Sequence, residues 1–90
     1  MSESQAEPSA EQLVAELQKI KVADMLVHTT SMLASLAYGK LAPETRDLAD
    51  AQLAIESLRV LVPLLPEEQR GSLQQVVSNL QLAYADAAAG

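Results

Sequence analysis

Ninety residues with 12 acidic and 6 basic side chains carry a net charge of −6, and 49% of them are apolar while only 2% are aromatic. A phosphate backbone needs clustered Lys and Arg, so this balance excludes nucleic acid as an expected partner and disfavours anionic membrane surfaces. With no Cys and one His, neither a disulfide nor the usual structural zinc set is available, and no cofactor or metal is expected.

A chain of this length makes one domain at most. Such a domain buries only about 60% of the surface its unfolded form exposes, and a partner chain is a common remedy. Without Trp or Phe, and with little Val or Ile, Leu and Ala must fill the core. That composition suits close helix packing and predicts an all-α fold.

The opening "MSESQAEPSAEQ" lacks the basic and apolar segments of a secretory signal, and no apolar run approaches the roughly 18 residues of a membrane span. A cytoplasmic protein is the expectation. Residues 1–8 read as a flexible acidic arm, residues 9–86 as one helical domain and residues 87–90 as a frayed tail. Ser9 followed by Gln12 is a capping-box pair, so a first helix starts there and runs over 9–38. Gly39 suits a left-handed cap at its end.

Pro43, Glu44 and Asp47 suit the first turn of a second helix over 43–62. Its stripe Leu48, Ala51, Ile55, Leu58, Val62 follows spacings of three and four. Pro63 ends it, and Leu64 and Leu65 of "PLLP" are expected to tuck against the bundle. Pro66, Glu67 and Glu68 open a third helix over 66–86, weakened at Gly71 but striped by Leu73, Val76, Val77, Leu80, Ala83 and Tyr84. The fold read from these elements is a three-helix bundle. Its expected core is Leu26, Leu33, Leu36, Leu48, Ile55, Leu58, Val62, Leu73, Val76, Leu80 and Tyr84.

One conflict lies inside "LVAELQKIKVADMLVHTTSMLASL". With Leu13 at zero and about 100° per residue, Leu17 and Ile20 fall within about 40° of it. Val22, Met25, Leu26, Thr29, Met32, Leu33 and Leu36 gather near about 160° instead. Either the chain breaks or bends near Lys21, or a continuous helix serves two surfaces. The absence of Gly and Pro between Ser9 and Tyr38 favours continuity, while Asp24 could cap a fresh helix.

On the second helix Leu53, Val60 and Leu64 line up away from the main stripe. Together with Leu13, Leu17 and Ile20 they are candidates for an interface, and a homo-oligomer, most simply a twofold dimer, would bury them. Alternatively they cover the "PLLP" loop and the N-terminal helix within a single chain.

Chemistry is sparse. His28, with Asp24 one turn back, reads better as a solvated polar face than as a general base or ligand. The acidic residues at helix starts are explained by the helix dipole. The three Gly at 39, 71 and 90 make no phosphate loop. No catalytic residue is assigned, and an enzyme is not expected.

The helix "VADMLVHTTSMLASLAYGKL", the segment "DLADAQLAIESLRVL" and the last amphipathic helix resemble a family of small uncharacterised bacterial helical proteins, a domain of unknown function. The middle segment carries the likeness through Asp47, Leu48, Ala51, Ile55 and Leu58. The resemblance implies a compact helical cytoplasmic protein without established catalytic residues. In actinobacterial relatives it implies a setting near translation genes. The expected function is a non-enzymatic, self-associating protein-interaction module. The alternatives are a carrier of small apolar ligands, with a cavity lined by Met25, Met32 and Tyr84, and a translation-associated accessory protein.

Overall fold

A computed structural model describes residues 9–90, and the arm expected over residues 1–8 lies outside them. The described chain is all-helical. Four α-helices, α1 (Ala10–Lys19), α2 (Val22–Leu41), α3 (Leu48–Leu61) and α4 (Glu67–Ala89), are joined partly by single 3-10 turns at Pro43–Thr45 and Val62–Leu64. No helix among the described residues is long and apolar enough to cross a membrane.

The stretch expected as one helix over 9–38 is two. Ile20 and Lys21 both take extended backbone, with ψ of 125° and 135°, and separate α1 from α2. Neither Gly nor Pro is involved. Lys21 caps α2 without a side-chain bond, and Asp24 sits in the first turn rather than at the cap. The extended pair lets the two halves aim their apolar stripes independently, which resolves the phase conflict.

The capping box at Ser9 is formed. The Gln12 amide donates to the Ser9 hydroxyl at 3.1 Å, and the Ser9 amide donates to Gln12 Oε1 at 3.0 Å. Yet α1 buries none of its residues. Removing a cap of this kind costs about 1 kcal/mol, and here the loss should stay local. At concentrations where single chains prevail, Ser9→Ala is expected to speed amide exchange in α1 while leaving the main thermal transition unchanged, since in one copy α1 is not packed into the core.

The turn after α2 is held by its own carbonyls. Gly39 O accepts from the Thr45 hydroxyl, Lys40 O from the Asp47 amide at 2.8 Å, and Leu41 O from the Arg46 guanidinium at 3.3 Å. These donors satisfy groups that a helix end leaves open. The left-handed cap expected at Gly39 is absent: α2 runs on to Leu41, and no glycine has positive φ. Nor does Pro43 open the second helix. It starts one 3-10 turn, and α3 begins at Leu48 behind the Asp47 carboxylate, which accepts from the Asp50 amide at 3.1 Å.

Helices α2, α3 and α4 pack against one another around one core. Leu58, Leu65, Leu80, Val62 and Thr30 are its largest fully enclosed side chains. The Thr30 hydroxyl donates to Leu26 O and Val27 O at 2.9 Å each, so this buried polar group is satisfied within its helix. Elsewhere α2 contributes Ala34, Ala37 and Leu41 to the core, and α3 contributes Ala51 and Ala54 beside Ile55 and Leu58. Such small residues allow two helix axes to approach closely.

The sequence pattern mis-phases α2. Its buried line through Thr30, Ala34 and Ala37 lies about 100° round the helix from the stripe expected to be core. Leu36, expected in the core, is 55% exposed. In the apolar turn Leu65 is 1% exposed and tucks in as expected, but Leu64 is 64% exposed and does not. At the C-terminus α4 stays helical to Ala89, with Ala87 packed against the core, where fraying from residue 87 was expected.

Gly71 lies inside α4 with ordinary φ, and a Cβ added there would meet nothing within 4 Å. Gly71→Ala is therefore expected to stabilise the fold by about 0.5–1 kcal/mol through reduced backbone entropy, read as a raised urea midpoint.

Candidate functional site

The polar candidates do not converge. His28 is exposed on α2, and among the described residues no hydrogen bond joins it to Asp24. It borders an open groove of about 630 Å³ lined also by Ser31, Met32, Ser35, Leu36, Gly39, Lys40 and Thr45. No three metal-ligating side chains come together among the described residues. The trio expected to line a ligand cavity is dispersed: Met25 and Met32 are exposed on α2, whereas Tyr84 is half-buried on α4 with its hydroxyl 3.3 Å from Gln52 Oε1. The three line no common cavity.

The apolar candidates are more coherent. Leu13, Leu17, Ile20, Leu53, Val60 and Leu64 are all exposed. They form two groups. Leu13, Leu17 and Ile20, with Val14, make a stripe along α1, where nothing among the described residues buries them. Leu53 and Val60 lie seven residues apart on one side of α3, and Leu64 continues that line into the following turn.

Beside the second group the structure exposes a stripe whose Leu36 was expected in the core and whose Met25 and Met32 were expected to line a cavity. Val22, Met25, Met32 and Leu36 are all exposed on α2, with half-buried Thr29 between them. Positions 22, 25, 29, 32 and 36 step by three and four, the a and d spacing of a helix seam meant for another helix. Leu36 and Leu53 border the same shallow depression between α2 and α3, together with Leu33 and Ala54. One apolar face therefore spans the α2–α3 hairpin. The heptad spacing was the available signal, but it also fits a core stripe, which hid the face.

This face is poor in charge. The chain carries 12 acidic side chains, yet the depression includes only Asp50, and that carboxylate pairs with Lys40 at 3.2 Å. The groove around Met32 contains no carboxylate at all. A protein of net charge −6 repels its own copies, and a face with few carboxylates adds little to that repulsion. By contrast Leu82 on α4 is exposed singly, which is normal for a soluble surface.

No protein-family model matches the chain, and neither a curated protein nor a solved structure matches it.

Proposed function

We propose that this chain is a non-enzymatic protein-interaction module that works as a homodimer through the outer face of the α2–α3 hairpin. The observation that carries the reading is the unpartnered three-four stripe Val22, Met25, Met32, Leu36 lying beside Leu53 and Val60. A twofold pairing buries the same surface on both copies, and a face with few carboxylates suits that demand.

A cytoplasmic setting fits a chain whose described helices include none able to span a membrane. The likeness to small bacterial helical proteins, and the translation setting it implied, carries no part of this reading. The test is Leu53→Glu with Val60→Glu in the full chain. Both side chains point to solvent in one copy, so helicity should be retained while the mass in light scattering falls from twice 9.6 kDa to the single-chain value. An unchanged dimer mass would remove α3 from the interface.

A further inference from the structure

We infer that α1 is an exchange arm: the α1 helix of one copy seats in the α2 groove of a second copy, and the reverse. This rests on the self-association proposed above and names the piece of the second copy that fills the groove. Two unpartnered surfaces on this chain match each other. Leu13, Val14, Leu17 and Ile20 form an exposed stripe on a helix that buries nothing, and the groove floor offers Met32, Leu36 and Gly39. Gly39 is helical with ordinary φ, and a Cβ there would meet nothing within 4 Å, so the single chain gives no reason for a glycine. Without a side chain it lets another helix come close.

Charge does not oppose the seating: the groove lining holds no carboxylate, Glu16 on α1 pairs with Lys19 at 3.6 Å, and Lys40 in the groove pairs with Asp50 at 3.2 Å.

Reach selects the second copy over self-closure. Ten residues of α1 span about 15 Å, at 1.5 Å per residue. Folded back about Ile20–Lys21, α1 would end level with about Met32 on its own α2, and Leu13 would come level with about Thr29. Leu36, Gly39 and Thr45, the far half of the groove, would stay uncovered. An arm from a second copy has no such tether.

The chain has no Cys, so single-cysteine variants test the exchange cleanly. Full chains bearing Leu13→Cys are mixed with tagged chains bearing Leu36→Cys, and in parallel with tagged chains bearing Leu82→Cys. Each chain then holds one thiol, and a disulfide between tagged and untagged chains can only join two copies. A disulfide needs Cα atoms within about 7 Å. Proximity in a docked pair raises the effective thiol concentration from micromolar toward millimolar. The expected result under mild oxidation is roughly tenfold or more tagged–untagged disulfide with Leu36→Cys than with Leu82→Cys. Equal yields from the two mixtures, with the mass still twice that of one chain, would overturn the exchange and leave the dimer standing. A single-chain mass for the native protein at every concentration would overturn both.

Discussion

Leu36→Glu should abolish self-association and leave the helices intact. Were Leu36 a core residue, as the apolar pattern of α2 suggests, a buried carboxylate would unfold so small a domain. Its side chain instead stands 55% exposed between Met32, Gly39 and Leu53, so a single copy tolerates the charge. In the dimer the substitution acts twice. Each copy loses about 1.5–3 kcal/mol of apolar burial and gains the cost of desolvating a carboxylate. A total of several kcal/mol raises the dissociation constant by roughly a thousandfold or more. Sedimentation velocity and far-UV circular dichroism on one sample read both outcomes. Loss of helicity would place Leu36 in the core, and an unchanged sedimentation coefficient would remove it from the interface.

Leu58→Ala should do the opposite and remove the fold itself. Leu58 is fully enclosed where α2, α3 and α4 meet, among Ile55, Val62, Leu65 and Leu80. Truncating such a leucine costs about 2–5 kcal/mol, the lost transfer energy plus the cavity left behind. Ala34, Ala37, Ala51 and Ala54 in the same core have no side-chain length with which to fill the gap. Against a total stability of about 5–15 kcal/mol, the loss consumes a large share. The expected observation is a urea midpoint reduced by a third or more, or no cooperative transition. A midpoint within error of the native protein would mean that α3 does not pack as described. The contrast between Leu36→Glu and Leu58→Ala separates surface from core in a chain whose leucines look alike in sequence.

The parts of the fold legible in the sequence were those set by local chemistry. Ser9 and Gln12 read as a capping box and form one. The α3 stripe read as core and supplies Ala51, Ile55, Leu58 and Val62. Pro63 marked the end of that helix, which closes at Leu61. What misled was the assumption that the largest apolar side chains face inward. Along α2 the inward line is Thr30, Ala34 and Ala37, flanked by half-buried Leu26, Val27 and Leu33. Small residues there let α2 approach the alanines of α3 closely. They carry little weight in a hydrophobic pattern, whereas Met25, Met32 and Leu36 dominate it from the other side. The break at Ile20–Lys21 was weakly signalled for a related reason. Without Gly or Pro, only the shift of phase between the α1 and α2 stripes pointed to it.

The same misreading hid most of the candidate site. Leu53, Val60 and Leu64 were identifiable because they oppose a strong stripe on their own helix. The α2 half of the face was not, because its heptad spacing fits a core as well as it fits an interface.

Sedimentation equilibrium of the native full chain, from micromolar to millimolar, tests the central claim most directly. Self-association through the α2–α3 face predicts a mass rising to twice 9.6 kDa and holding there. A mass that stays at the single-chain value up to the highest concentration would contradict it, and the exposed stripe would then not bind a second copy.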